Sequence, residues 1–285
     1  MLVVVVPDTR AQPRVGVDDA RPTKKRIEGT MKASHIAVLL FALYLGVVQM
    51  SWKAAVSRCS RSFPDKEGRE VLLVVAHPDD ECMFFAPTVL ALHEQRIPLH
   101  LLCLSLGNFD GMGATRQVEL QEAALGLGIA PERTSVVDRP ELEDGLRRWE
   151  PHVVVEEIVT YIQHHPSITD VVTFDEHGIS GHNNHRDIYR AVRRLHEVRP
   201  SLKVWCLRTV PVVQKYLGLT GALWSALSRK NDELLFLTSN KDRATKSMKL
   251  HRSQYVWFRR LYVFFSSYMH ANSILPMVDE ARVSM

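Results

Sequence analysis

The run Val71-Leu72-Leu73-Val74-Val75-Ala76 passes without a polar residue into His77-Pro78-Asp79-Asp80-Glu81, and this abrupt change restricts the possible folds more than any other feature. Five consecutive β-branched or leucine residues, closed off by proline, are too few for a helix and do not alternate. They fit a strand covered on both faces, as in parallel α/β sheets. Pro78 ends that strand, since it donates nothing to a ladder and holds the preceding residue extended. In such sheets ligands bind at the carboxyl ends of strands, so His77, Asp79, Asp80 and Glu81 stand where chemistry is expected. A solvated turn uses similar residues. Three metal-ligand types within five positions, and a second histidine cluster downstream, favour a site.

The rest of the middle repeats the same grammar. Residues 99–104, 134–137 and 170–174 read as further short strands, and 82–95, 115–125 and 153–165 carry apolar residues at helical spacing. Strands alternating with helices predict a Rossmann-like, doubly wound, mostly parallel sheet with helices on both faces. Arg116 and Glu119, three apart on the second helix, read as a surface ion pair. The glycine-containing loop from Ser105 to Gly113 leaves room for a ligand beside the backbone, but it is not Gly-x-Gly-x-x-Gly. Gly-x-Ser-x-Gly and Gly-x-x-x-x-Gly-Lys are also missing, which argues against dinucleotide binding, a serine nucleophile and phosphoryl transfer.

Around this core, residues 1–30 read as a disordered leader, 31–56 as a membrane anchor with its helix at about 36–52, and 57–70 as a linker. The catalytic domain is expected over 71–270, with a tail over 271–285. Residues 36–52 carry no charge and are just long enough to cross a bilayer. A cleaved signal peptide is the competing reading, disfavoured because no small-x-small site follows closely. Met31 is a candidate start, and from it the downstream Lys53, Arg58, Arg61 and Arg69 place the catalytic domain on the cytosolic side. The net charge of +4, from 36 basic and 32 acidic residues, is too mild to argue for nucleic acid. Cys59, Cys82, Cys103 and Cys206 form no C-x-x-C pair and read as reduced, structural thiols.

The strand at 170–174 also ends in chemistry, at Asp175-Glu176-His177-Gly178-Ile179-Ser180-Gly181-His182-Asn183-Asn184-His185. A helix over 188–196 follows, so His182 and His185 fall at its entry and share a face. Two parallel strand ends then bring His77, Asp80, His182 and His185 together. Catalytic zinc needs three protein ligands and an open position, which a His/Asp/His set provides. With Asp79 placed to take a proton, this reads as a metal-dependent hydrolase site for an amide or ester.

These motifs resemble those of the zinc-dependent LmbE-like de-N-acetylases. The resemblance is closer to their eukaryotic membrane branch, the N-acetylglucosaminyl-phosphatidylinositol de-N-acetylases (PIG-L) of GPI-anchor synthesis. It rests on His77-Pro-Asp-Asp-Glu81, Ser105-x-Gly-Asn108, Gly111-x-Gly113 with Arg116 and Glu119, Thr173-Phe174-Asp175, Ser180-Gly181-His182-x-x-His185, His251-Arg-Ser-Gln254 and Trp257-Phe-Arg259. It implies Zn2+, or another divalent metal, held by His77, Asp80 and His185. It further implies Asp79 as the base, His182 as the group that steadies the oxyanion or protonates the leaving amine, and Asp175 as the residue that orients a histidine. Some bacterial relatives have a tyrosine where this chain has Ser180.

The implied substrate is a phosphoinositide glycolipid at the endoplasmic reticulum membrane, with Arg116 and Arg186 as candidate phosphate contacts and no nucleic acid involved. Residues 216–227 and 255–268 are rich in Trp, Tyr, Phe and Leu, with Arg259 and Arg260 in the second, as interfacial segments are and core helices also can be. De-N-acetylation of a soluble sugar conjugate, or a silent membrane-anchored binding role, are the alternatives.

Overall fold

The computed structural model describes residues 24–59, 63 and 67–277. The expected leader up to residue 23 and the tail from residue 278 lie outside the described residues. The chain divides into Met1–Val47 and Val48–Met285. In the first unit the chain is helical from Lys24, the start of α1 (Lys24–Cys59), and therefore well before the expected residue 36. Its apolar side chains, among them Leu39 and Phe41, are exposed. One segment among the described residues, His35–Ser57, is long and apolar enough to cross a bilayer by length and composition.

The second unit is built on a seven-stranded sheet. Its strands are β1 (Glu70–Val75), β2 (Leu99–Cys103), β3 (Thr134–Val136), β4 (Ile168–Phe174), β5 (Lys203–Leu207), β6 (Leu234–Leu237) and β7 (Ala271–Pro276). The helices after α1 are α2 (Asp80–Met83), α3 (Ala86–Glu94), α4 (Gly113–Leu127), α5 (Pro151–His164), α6 (Gly178–Gly181), α7 (Asn183–Val198), α8 (Val212–Lys215), α9 (Gly218–Leu227), α10 (Lys241–Met248) and α11 (Trp257–Phe265). Strand order is β3-β2-β1-β4-β5-β7-β6. All neighbours from β3 to β5 are parallel, and β7 runs antiparallel to both β5 and β6.

The order reverses at β1, which has β2 on one side and β4 on the other, and the crevice outside the carboxyl ends of β1 and β4 is where such sheets bind ligands. Val71 to Val75 are all buried, as a strand covered on both faces requires. Each such aliphatic side chain contributes about 1.5–3 kcal/mol by leaving water.

Two features correct the sequence reading of this region. The expected tail begins with β7, which lies inside the sheet and is buried over its first four residues. Its polar Asn272 hid it from a search for apolar runs. That side chain is fully satisfied inside, accepting from Thr88 N (3.1 Å) and Oγ1 (2.8 Å) and donating to Phe84 O (2.8 Å). The expected single helix over 82–95 is instead two, α2 and α3, separated around Phe84 and Phe85, with Pro87 in the first turn of α3.

At the opposite end of β1, buried Arg69 donates to Asp170 of β4, which also accepts from Trp205 Nε1 (2.7 Å) of β5. Leaving either charge without its partner there would cost about 3–5 kcal/mol, so the three strands are pinned in register. On α7 the buried residues Asn184, Ile188, Ala191 and Leu195 recur every three or four positions, a face that anchors the helix over β1, β4 and β5. That anchoring fixes the entry of α7, where the histidines lie.

Candidate active site

Asp80, the first residue of α2, folds its carboxylate back over the end of β1. Its Oδ2 accepts from the backbone N–H of Ala76 (3.0 Å) and of His77 (2.9 Å). Its other oxygen, Oδ1, lies 3.4 Å from His185 Nε2, and Oδ2 lies 3.6 Å from His77 Nδ1. Burial alone would raise its pKa, but His185, His77 and these amides hold it well below the ordinary carboxylate range.

Each of the two histidines is steadied through its other nitrogen. His185 Nδ1 donates to Gly178 O (3.0 Å), while its ring stacks 3.9 Å from Phe174 at 4°. His77 Nε2 faces Asp144 Oδ1 (3.1 Å) and Asn184 Oδ1 (3.2 Å). The nitrogens left over, His185 Nε2 and His77 Nδ1, both turn towards Asp80. His185 Nε2 is buried without a hydrogen-bond partner. Two imidazole nitrogens and one carboxylate converging on a shared space suit a zinc-type ion, with each ring oriented by an outer acceptor.

His182 caps the start of α7 in extended conformation, and its ring centre lies 4.8 Å from that of His77 and 5.0 Å from that of His185. Ligand atoms of the three histidines all lie within 4.8 Å of one another. Burial, then the neighbouring His77 and His185, push the His182 pKa down to about 4, so its ring is neutral at neutral pH. Gly178, at φ +60°, permits this packing, because a Cβ there would lie 2.8 Å from His185 Cβ.

Asp79 is held in an unusual backbone conformation, φ 124° and ψ −20°, where non-glycine residues are rare. The surroundings enforce it. Glu81 Oε2 accepts from Asp79 N (3.1 Å), and Asp79 O accepts from Cys82 N (3.1 Å) and Met83 N (2.9 Å). Arg259 of α11 reaches Asp79 Oδ2 at 2.9 Å, and Arg116 lies 3.8 Å from Oδ1. Burial raises the Asp79 pKa against the pull of both guanidinium groups, Arg259 the stronger. The result is a buried carboxylate beside the cluster with more than ordinary proton affinity.

The structure thus gathers His77, Asp79, Asp80, His182 and His185, and it places the remaining expected residues differently. Asp175 touches none of the imidazole rings. It accepts from His177 N (3.1 Å), Gly178 N (3.0 Å), Thr209 N (2.6 Å) and Thr209 Oγ1 (2.6 Å), forming a local turn after β4 that aims the Gly178 carbonyl at His185. Arg116 and Glu119 form no surface pair, because both lie on the buried face of α4. Arg116 donates to Pro78 O (2.7 Å) and Gly107 O (2.8 Å), and Glu119 accepts from Ser253 N (2.8 Å) and Oγ (2.6 Å). Arg116 therefore braces two loops, and Gly107 must lack a side chain, since a Cβ would lie 2.5 Å from the guanidinium carbon. Arg186 turns away, its Nε donating to Glu176 O (3.3 Å), and it lines a surface cavity with His177 and Arg190 that shares no residue with the cavities beside the cluster.

A second compact group, Glu81, Cys82 and His251, also has metal-ligand atoms close together. It fits a metal poorly. His251 Nε2 already donates to Glu81 Oε1 at 2.6 Å, burial drives the Cys82 thiol pKa well above its usual value, and all three residues are fully enclosed. Its part is to lock Glu81 under the Asp79 backbone. Asp144, Arg259, Asn184 and His251 were assigned no role by sequence reasoning. For Arg259 and His251 a signal existed, the motifs Trp257-Phe-Arg259 and His251-Arg-Ser-Gln254.

Two cavities flank the cluster. One, of about 610 Å³, is walled by Phe84, Ser180, Tyr216, Phe258, Arg259 and Tyr262. The other, of about 220 Å³, is polar, with Ser105, Asn108, Arg139 and Asp144.

A family model described as GlcNAc-PI de-N-acetylase matches residues 72–196, a span holding all five gathered residues. The chain is 41% identical over 212 residues to the N-acetylglucosaminyl-phosphatidylinositol de-N-acetylase of Bos taurus, covering 73% of this chain and 83% of that protein. It is 37% identical over 210 residues to the probable N-acetylglucosaminyl-phosphatidylinositol de-N-acetylase of Schizosaccharomyces pombe, covering 71% and 84%. The solved N,N'-diacetylchitobiose deacetylase of Pyrococcus horikoshii shares the fold at a TM-score of 0.54 and 15% identity, covering 75% of this chain and 87% of that one. With the doubly wound sheet and the histidine-carboxylate cluster at its switch point, similarity of this extent places the chain in the GlcNAc-PI de-N-acetylase (PIG-L) family.

Proposed function

We propose that this protein hydrolyses the acetamide of N-acetylglucosaminyl-phosphatidylinositol, releasing acetate and leaving glucosaminyl-phosphatidylinositol, an early step of GPI-anchor synthesis at the endoplasmic reticulum membrane. The observation that carries the reading is the convergence of His77, Asp80 and His185 on one space, with Asp79 buried beside it. His77, Asp80 and His185 would hold Zn2+, which when bound supplies a Lewis acid that polarises the amide carbonyl and acidifies the attacking water. Asp79 takes the proton of that water, its carboxylate aimed by Arg259 and its backbone locked by Glu81. His182, neutral because burial and its histidine neighbours depress its pKa, donates a hydrogen bond to the developing oxyanion. The nitrogen of the broken C–N bond leaves as the amine, and Asp79 returns the proton it took.

α1 supports a membrane location through its length and composition, with the catalytic unit on the cytosolic side. The test uses membranes that lack endogenous de-N-acetylase and contain the full chain, supplied with acetyl-labelled N-acetylglucosaminyl-phosphatidylinositol or with a soluble N-acetylglucosaminide. Labelled acetate from the lipid, and little from the soluble conjugate, is the expected outcome. Equal or faster release from the soluble conjugate would overturn the lipid assignment in favour of a soluble sugar conjugate as substrate.

A further inference from the structure

The apolar residues around the larger cavity are not confined to its interior. α11 turns Arg259 inward onto Asp79, but Trp257 is 72% and Phe264 68% exposed, and Phe258, Leu261 and Phe265 are about half exposed. Across the cavity mouth stands the end of α8, where Tyr216, also nearly half exposed, packs edge-on against Tyr262 at 6.2 Å. Lys241 ties the end of α11 in place by donating to Phe264 O (3.1 Å). The exposed apolar collar is thus continuous with a cavity lined by Arg259, which holds Asp79, and by Phe84, which packs against His185. A soluble monomer seldom leaves so many large aromatic side chains in water around one opening.

The stretches of sequence that carry the collar are one-sided in charge. Residues 243–278 contain six Lys or Arg and no Asp or Glu, and residues 198–231 likewise contain six and none. These stretches include α8, α9 and α11, and of their cations Arg208, Arg252 and Arg259 are paired with Glu233, Glu122 and Asp79. Tryptophan and tyrosine near the mouth, aliphatic and phenyl groups beside them, and the basic bias of these stretches match the interface of a bilayer bearing anionic lipid. A second copy of the chain would bring the same positive charge against itself, which disfavours self-association here.

We infer that the collar formed by α11 and the end of α8 docks onto an anionic membrane surface and opens the catalytic cavity to the lipid–water boundary, so that a lipid-linked substrate enters sideways. This deepens the proposed lipid substrate and rests on that reading for its purpose, but its geometry is testable separately. Arg259 links the two roles, standing on the docked helix while its guanidinium holds Asp79.

The test reconstitutes the full chain into phosphatidylcholine vesicles with about one fifth phosphatidylserine, with or without brominated acyl chains. Tryptophan quenching of the wild type is compared with that of Trp257→Phe, which isolates Trp257 from the other four tryptophans. In parallel, Trp257→Ser/Phe264→Ser is assayed on N-acetylglucosaminyl-phosphatidylinositol in vesicles and in detergent micelles. Docking predicts a component of the quenching, over and above that of Trp52 in α1, that is lost in Trp257→Phe, and a KM for the vesicle substrate raised about tenfold in the double variant with kcat in micelles unchanged. An active wild type whose Trp257 is not quenched overturns docking and leaves the de-N-acetylase reading standing. So does cross-linking of Phe264→Cys between copies with Trp257 dark to brominated lipid, which would make the collar a self-association face. Quenching without any deacetylation would support docking and remove the activity.

Discussion

Replacing Asp79 with asparagine is expected to lower kcat for deacetylation by about 10²–10⁴-fold, the usual contribution of a positioned general base, with the fold and metal content preserved. The amide is nearly the same size, and the enforced backbone depends on Glu81, Cys82 and Met83 rather than on the Asp79 side chain. What the substitution removes is the proton acceptor beside Arg259. Acetate release, measured together with the melting temperature and zinc per chain, checks this. A variant with normal folding, normal zinc and near-normal turnover would remove Asp79 from the chemistry.

Replacing His185 with alanine is expected to do something different, emptying the centre. Loss of an outer partner of a metal ligand alone weakens affinity about 10–100-fold, and loss of the ligand itself exceeds that. Chelator should abolish turnover of the wild type, and added zinc should restore it, whereas His185→Ala should stay inactive at the same zinc concentration. Because His185 also stacks on Phe174, the alanine variant will lose some stability. The deciding reading is therefore zinc bound per folded chain by equilibrium dialysis. Retention of wild-type zinc affinity by the folded variant would exclude His185 as a ligand.

Much of this site was legible because its information is local. The apolar run into His77-Pro78-Asp79-Asp80 and the pair His182 and His185 each fit within one strand end or one helix entry, and a parallel sheet brings strand ends together without further instruction. What was not legible depends on contacts distant in sequence. Arg259 meets Asp79 across 180 positions, and His251 meets Glu81 across 170. Asp144, which holds His77, lies in an irregular stretch with no periodicity to mark it.

Where sequence reasoning assigned wrong partners, the cause was similar. Arg116 and Glu119 have the spacing of a surface pair, but Leu120, Ala123 and Leu127 put that face of α4 in the core. Asp175 stands at a strand end, as an orienting carboxylate would, yet the turn after it offers backbone N–H groups nearer than any imidazole. β7 lacks the unbroken apolar run that announced β1, since Asn272 finds its partners only once the sheet has formed, and Ser273 Oγ is buried there without one.

In the proposed hydrolytic centre, the metal sits on the strand-end histidines and Asp80 and not on the enclosed Glu81-Cys82-His251 group. The most direct measurement is zinc K-edge X-ray absorption on the active, metal-loaded full chain. A zinc bound by His77, Asp80 and His185 gives only nitrogen and oxygen neighbours at about 2.0–2.2 Å, with imidazole multiple scattering that falls in His185→Ala. A sulfur neighbour at about 2.3 Å, the distance of a zinc–thiolate bond, would place the metal on Cys82 and contradict the assignment.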